Sequence, residues 1–318
     1  MKKYKILNTI GEAFADEGKK ILESFAEVDY KIPDQKELDD TIHNYDACVV
    51  GLGVTFHEDT LKKAKNLKAI ATATTGLDHI DVSWAEKNNI NVVSLRGERE
   101  FLDTLTATSE LAWGLLIGLM RRIPWAFARV LEHEWNREDF RVPSRLYGKT
   151  LGIVGMGRLG THMARYARAF GMNVVFYDPH VEAPVVDECK KVSLEALARE
   201  SDVISINVHL TDETEGLIDK RLFGMMKPNI VIINTSRGRV VDEKELLRAI
   251  KDKRIAGYAT DVLGGELNFK EKAEHALISY AKENDNILIV PHIGGLTNDS
   301  RKETDIFIAR KLKKYLEE

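Results

Sequence analysis

The sequence predicts an α/β protein built from two doubly wound parallel-sheet domains. Three observations carry that prediction. Short β-branched runs alternate with helical patterns almost throughout, the signature of βαβ units. The alternation is interrupted once, by an apolar helix-favouring segment over residues 106–130 and a loop-like stretch over 132–144. The length, 318 residues, suits about two domains at roughly 150 residues each.

Taken in order, the first series places strands over residues 4–7, 46–50, 67–72 and 90–93, with helices over 16–25, 37–43 and 81–88. The segment 106–130 reads as one long helix, free of proline until Pro124. The second series places six strands, over 150–154, 173–177, 203–207, 230–234, 256–260 and 287–290. Six strands with helices between them complete a doubly wound domain, so the helix over 299–318 finds no partner there. It is expected to return to the first domain. The domains are then residues 1–102 with 293–318, and residues 103–292, with a ligand cleft expected between them.

Composition excludes several classes. Lys and Arg number 46 against 50 Asp and Glu, a net charge of −4, which argues against nucleic-acid binding driven by net positive charge. Cys48 and Cys189 are the only cysteines, so no disulfide framework or Cys-x-x-Cys metal site exists. No His-Glu-x-x-His pair occurs, and no metal is expected. The short apolar stretch after Lys3 suits a first strand rather than a signal-peptide core. No run reaches membrane-spanning length, and a cytoplasmic location is expected. Effector control through an appended regulatory module is not expected.

The run Leu151-Gly-Ile-Val-Gly-Met-Gly-Arg-Leu-Gly160 holds G-x-G-x-x-G at Gly155, Gly157 and Gly160. An apolar strand precedes it and a helical pattern follows. Gly155 permits the tight turn, Gly157 lets backbone approach a pyrophosphate, and Gly160 lets helix pack on strand. The amides and dipole at the helix start attract phosphate. Asp178 ends the next strand, 178 − 155 = 23 residues on, where an acid receives the adenosine ribose hydroxyls. A carboxylate there repels a 2′-phosphate, so NAD is preferred over NADP.

Three polar residues follow strands of this same domain: Arg237 in Asn234-Thr-Ser-Arg-Gly-Arg, Glu266 after Asp261, and His292 in Val290-Pro-His-Ile-Gly-Gly. Strand carboxyl ends form the ligand crevice of an open α/β sheet. Together with Thr75-Gly-Leu-Asp-His-Ile-Asp81, Trp135 and the run Leu146-Tyr-Gly-Lys-Thr-Leu-Gly, Val208-His-Leu-Thr-Asp-Glu-Thr214 and Asp261-Val-Leu-Gly-Gly-Glu266, they make a specific ordered set. On these motifs the chain resembles the D-isomer-specific 2-hydroxyacid dehydrogenases along nearly its whole length.

The resemblance implies a Rossmann-type cofactor domain, a flavodoxin-like substrate domain and hydride exchange between NAD and a D-2-hydroxy acid. It implies an Arg237, Glu266 and His292 triad. A planar guanidinium suits the substrate carboxylate and carbonyl, histidine titrates near working pH, and a neighbouring carboxylate favours the imidazolium. The Glu266 motif lacks the prolines expected after Asp261. The resemblance also implies that backbone amides of Thr75, Gly76 and Leu77 hold the substrate carboxylate. It implies cofactor contacts from Arg158, Leu159, Thr108, Val208, Thr235, Asp261 and Gly294. His180 and His209 are assigned structural or rim roles. A homodimer through the cofactor domain is expected, with the 102–130 segment and the Trp135 loop contributing.

The loop Gly51-Leu-Gly-Val-Thr55 lacks the arginine expected of phosphoglycerate enzymes, which argues against a phosphorylated substrate. Arg96 and Arg99 are the candidates for reading a polar or acidic substrate tail. A formate-dehydrogenase-like enzyme is disfavoured by the carboxylate at Glu266. An adenosylhomocysteinase-type hydrolase is disfavoured by chain length and the triad. A non-enzymatic NAD(H)-sensing scaffold of the same fold remains as the alternative.

Overall fold

The structure, a computed structural model, describes residues 4–266 and 274–318. Two compact units emerge: residues 1–104 with 296–318, and residues 105–295.

The first unit carries five parallel strands, β1 (Tyr4–Asn8), β2 (Ala26–Tyr30), β3 (Ala47–Val50), β4 (Ala69–Thr72) and β5 (Asn91–Val93). Their spatial order is β2-β1-β3-β4-β5, the flavodoxin-like winding. The connecting helices are α1 (Asp16–Glu23), α2 (Gln35–Thr41), α3 (Glu58–Leu61) and α4 (Val82–Lys87), with α5 (Arg99–Leu102) at the end. Strands β3 and β4 are buried along their whole length, as parallel strands covered on both faces must be. Two helix starts are capped by carboxylates, Asp34 for α2 and Asp81 for α4.

The strand β2 went unread in the sequence because its Glu27 and Asp29 mask the apolar pattern. It is a sheet edge, where charge is tolerated and blunts unwanted pairing.

In the second unit the apolar segment makes two helices, α6 (Ala107–Met120) and α7 (Ile123–Leu131), where one was expected. Arg122 takes a left-handed backbone with φ of 54°, which ends α6. Pro124 in the first turn of α7 starts the next helix, since a missing N–H costs nothing there. Arg122 is held by Asp285 at 2.9 Å and the Asp139 carbonyl at 3.0 Å. α6 is buried through Ala112, Leu115, Leu116 and Leu119, whereas α7 buries no residue completely.

The remaining elements are β6 (Thr150–Val154), α8 (Arg158–Ala169), β7 (Asn173–Tyr177), β8 (Cys189–Lys191), α9 (Leu194–Glu200), β9 (Val203–Ile206), α10 (Lys220–Phe223), β10 (Ile230–Asn234), α11 (Glu243–Lys251), β11 (Ile255–Thr260), α12 (Ala276–Ala281) and β12 (Ile287–Ile289). All seven strands are parallel, in the order β12-β11-β10-β9-β6-β7-β8. Six were expected; the seventh, β8, is a three-residue edge strand reading Cys-Lys-Lys, too short and polar to show a period. The order reverses between β6 and β9, so the switch point lies at the end of β6, where such sheets bind ligands.

Alternation along β10 divides the core into two layers. Ile230 and Ile232 face a cluster with Leu197, Leu222, Leu246 and Leu277, from α9 to α12. Val231 and Ile233 face a cluster with Leu116, Leu119, Met163 and Ala167, from α6 and α8.

The last helix, α13 (Asn298–Glu317), belongs to the first unit. Tyr4 Oη donates to the Leu316 carbonyl, and the Ala15 amide donates to the Asp305 carboxylate at 2.9 Å. A Cβ on Gly18 would stand 2.7 Å from the Phe14 ring and 3.3 Å from the Asp305 carbonyl, so α1 and α13 pack backbone to backbone.

Candidate active site

The cofactor cradle follows directly from β6. Gly155 has φ of +91°, and a Cβ there would meet the Asn207 carbonyl oxygen at 2.6 Å. Only glycine turns the chain in that space. A Cβ on Gly160 would stand 2.1 Å from the Gly155 carbonyl oxygen, so α8 can approach β6 only because residue 160 has no side chain. Gly157 differs: nothing lies within 4 Å of its Cβ position. It is exposed at the N-terminus of α8, where no side chain obstructs a ligand. Arg158 and Leu159 supply amides in the first turn, and the Arg158 guanidinium also donates to the Leu105 carbonyl. An open glycine, a helix N-terminus of three turns and a switch point together fit a dinucleotide phosphate.

Asp178 directly follows β7 and is buried. One oxygen accepts the Met156 amide at 2.8 Å; the other accepts those of His180 and Val181. The same carboxylate thus pins the glycine turn to the end of β7. Four lone-pair sites on a carboxylate leave capacity for a ribose hydroxyl. Val208 is half-buried, and its carbonyl accepts from Ser236 Oγ; Thr235, which precedes Ser236, is buried.

The three candidate reactive residues leave the carboxyl ends of neighbouring strands β10, β11 and β12. After β10, Asn234 Nδ2 donates to the Arg237 carbonyl at 3.0 Å and to Tyr258 Oη at 3.2 Å, and its Oδ1 accepts the Ser236 amide. This buried amide fixes the turn that presents the half-buried Arg237. Asn234 carries a signal visible in the sequence, an asparagine that ends a strand before a turn, although it stands outside the candidate site residues. Arg237 Nη1 donates to the Ser236 carbonyl at 2.8 Å. A Cβ on Gly238 would meet the Gly264 amide nitrogen at 2.1 Å, so the Arg237 turn lies directly against the Leu263–Gly264 peptide.

His292 has φ of +53°, a costly conformation for a side-chain-bearing residue. Asp261 holds it there. The His292 amide donates to the Asp261 carbonyl at 2.9 Å, and the next two amides, of Ile293 and Gly294, donate to its two carboxylate oxygens at 2.7 and 2.8 Å. Burial pushes the Asp261 carboxyl up, against the pull of those two amides. Gly294 must be small, since a Cβ would meet Asp261 Oδ2 at 2.9 Å and Thr108 Cγ2 at 3.1 Å. Thr108 therefore borders the same turn, from the start of α6.

The ring so held meets Glu266 Oε1 at 2.7 Å through Nδ1, while Glu266 Oε2 accepts the Leu263 amide at 2.9 Å. An ionised carboxylate only accepts, so Nδ1 carries the hydrogen and Nε2 is the nitrogen left to exchange a proton. Both side chains are partly exposed, at 28% and 19%, so the pair is open to a reactant.

A family model described as D-isomer specific 2-hydroxyacid dehydrogenase, NAD binding domain, matches residues 113–294. The chain belongs to this family. It is 35% identical over 311 residues to a glyoxylate reductase of Thermococcus litoralis, covering 93% of this chain and 89% of that one. It is 34% identical over 301 residues to a D-3-phosphoglycerate dehydrogenase of Methanocaldococcus jannaschii, covering 93% of this chain and 55% of that one. The chain thus spans about half the length of that second relative. The structure of D-lactate dehydrogenase from Aquifex aeolicus, complexed with NAD and lactic acid, superposes with a TM-score of 0.87 at 26% identity, covering 98% of this chain and 95% of that one. The cofactor of the matched domain is NAD, and the cradle described above fits it.

The remaining candidates lie in the first unit. Thr75 and Gly76 are half-buried after β4, and Leu77 is buried, which leaves its backbone rather than its side chain for a ligand. Thr74 Oγ1 donates to the Gly76 carbonyl at 2.8 Å and shapes the turn. Arg96 and Arg99 are exposed, Arg96 on the loop before α5 and Arg99 at its start, and Lys311 of α13 fastens that loop through the Ser94 carbonyl and Glu98. Among the described residues no cluster of three or more His, Cys, Asp or Glu could hold a metal, and no helix is long and apolar enough to cross a membrane.

Proposed function

We propose that the chain is an NAD-dependent D-2-hydroxyacid dehydrogenase interconverting a D-2-hydroxy acid and its 2-oxo acid. The observation that carries this reading is the His292–Glu266 contact of 2.7 Å, presented by strand ends of a domain with a dinucleotide cradle. NADH held by the glycine turn and Asp178 would supply the hydride to the carbonyl carbon. His292 gives a proton from Nε2 to the carbonyl oxygen, and in the reverse direction takes it from the hydroxyl. Glu266 keeps Nδ1 protonated, orients the ring and stabilises the imidazolium. Arg237 grips the carboxylate and polarises the carbonyl, a task suited to a planar fork of donors. Asp178 receives the adenosine ribose, and Asp261 the nicotinamide carboxamide through its remaining lone pairs. Arg158, Leu159, Thr108, Val208, Thr235 and Gly294 border the cofactor.

The amides of Thr75, Gly76 and Leu77 are proposed as an anion nest for the substrate carboxylate. The chain is further proposed to act in the cytoplasm as a homodimer. Its support is the apolar surface on and after α7, where Phe127 is 62%, Leu131 65% and Trp135 88% exposed.

The test is NADH oxidation, with NADPH alongside, against glyoxylate, hydroxypyruvate, pyruvate, phenylpyruvate and phosphohydroxypyruvate. Turnover of at least one with NADH is expected, and a non-phosphorylated acid should be best. Tight NADH binding without turnover of any 2-oxo acid would favour the sensing scaffold instead.

A further inference from the structure

We propose that Glu243 is a positioning residue for the proton-transfer pair, acting through the turn that carries Glu266. The proposal rests on the roles given above to Glu266 and His292.

Glu243 opens α11, six residues beyond Arg237, and points away from solvent with its side chain 17% exposed. Its Oε1 accepts the Gly264 amide at 2.9 Å. Its Oε2 meets His275 Nε2 at 3.1 Å. His275 caps α12, accepting the Leu277 amide at Nδ1 at 3.3 Å. A ring nitrogen that accepts carries no hydrogen, so Nε2 holds it and donates to Glu243. The carboxylate is therefore fixed from both ends.

What it fixes is the base of the reactive pair. The adjacent amides of Leu263 and Gly264 are taken by two different carboxylates, Glu266 folding back on the first and Glu243 reaching across to the second. The site at 264 is built for this contact: a Cβ there would stand 2.8 Å from Glu243 Oε2. The same peptide carries the backbone of Gly238, next to Arg237. Releasing Glu243 frees the turn from which Glu266 spans 2.7 Å to His292, and a hydrogen bond is steep in distance and angle. Glu243 itself touches no reacting atom and acts only through this turn.

The experiment compares Glu243→Ala, Glu266→Ala and the double variant in the full chain. Glu243→Ala should lower kcat for the best 2-oxo acid about tenfold, with the NADH Kd and both KM values within about twofold. In the Glu266→Ala background the same change should alter kcat by less than about twofold, because both act through one bond. The ¹⁵N resonances of the His292 ring, recorded without NADH, should move from a protonated Nδ1 toward the pattern of Glu266→Ala. Should Glu243→Ala not fold, Glu243→Gln carries the test: it keeps an oxygen for Gly264 but sets an amide against the His275 donor. An intermediate ring shift and a kcat loss of about threefold are expected. Multiplicative losses in the double variant, or unmoved His292 resonances, would overturn the proposal. If the wild-type chain reduces no 2-oxo acid, the functional reading fails, and the ring resonances still decide whether Glu243 positions the pair.

Discussion

Replacing Glu266 by glutamine isolates what its second oxygen does. The native carboxylate accepts two bonds on separate oxygens, from Leu263 N–H at 2.9 Å and from His292 Nδ1–H at 2.7 Å. An amide has one oxygen. If that oxygen faces His292, the NH₂ group opposes the Leu263 donor, and an unsatisfied amide costs about 1–3 kcal/mol. The ring then keeps its tautomer but loses the anion beside it; a charge-assisted bond becomes a neutral one of roughly half the strength, about 1 kcal/mol less for the imidazolium. If the amide flips, its NH₂ donates to Nδ1, the hydrogen moves to Nε2, and the ring can no longer accept a proton from a hydroxyl. The first pose thus costs the proton-transfer step about 1 kcal/mol, a kcat loss of roughly fivefold, and the second costs more because the ring loses its proton acceptor. Oxidation of the hydroxy acid should suffer more than reduction of the oxo acid. The assay is steady-state turnover in both directions, with the NADH Kd from fluorescence as a control. Activity within threefold of wild type in both directions would refute the argument.

Other outcomes follow from the same geometry. Gly160→Ala forces a Cβ to 2.1 Å from the Gly155 carbonyl and should destabilise the chain by about 1–3 kcal/mol in urea unfolding, whereas Gly157→Ala, with open space around it, should leave stability unchanged and weaken only NADH binding. Arg237→Lys should raise KM and lower kcat together in steady-state assays, since an ammonium lacks the two-point grip. Burial pushes the Asp305 carboxyl up to about 6, opposed by the Ala15 amide and Arg301. A raised carboxylate binds its proton in the folded state after the unfolded chain has lost it. Its contribution to stability therefore falls as pH rises from about 4 to about 6, by roughly 3 kcal/mol for this shift, and Asp305→Asn should flatten that difference in urea titrations. For the proposed homodimer, Phe127→Glu should reduce the mass in sedimentation from dimer to monomer while leaving the circular dichroism spectrum intact, and a wild-type chain that sediments as a monomer would refute the dimer.

How much of this the sequence carries depends on where a residue sits. The central strands were legible because burial on both faces demands continuous apolar runs, as in β10, Ile-Val-Ile-Ile-Asn. The two unread strands, β2 and β8, are both sheet edges that carry charged residues, and β8 is only three residues long. The break at Arg122 was invisible because a left-handed residue leaves no mark on hydrophobic periodicity. At the site, Arg237, Glu266 and His292 are legible as polar residues beyond strand ends. Their fastenings are not. Asp178 and Asp261 read as ligands for a cofactor, yet each spends its oxygens on backbone amides first. Asn234 and Glu243 act by bonding segments distant in sequence or around a turn, and no spacing rule reports which amide a side chain will reach.

The central claim is that His292 moves the proton for a hydride transfer in this chain. The direct measurement is kcat for the best 2-oxo acid in wild type and His292→Ala, beside the NADH Kd of each. The account predicts a loss of about 100-fold or more in kcat with NADH binding within about threefold. Near-normal turnover in His292→Ala would contradict it.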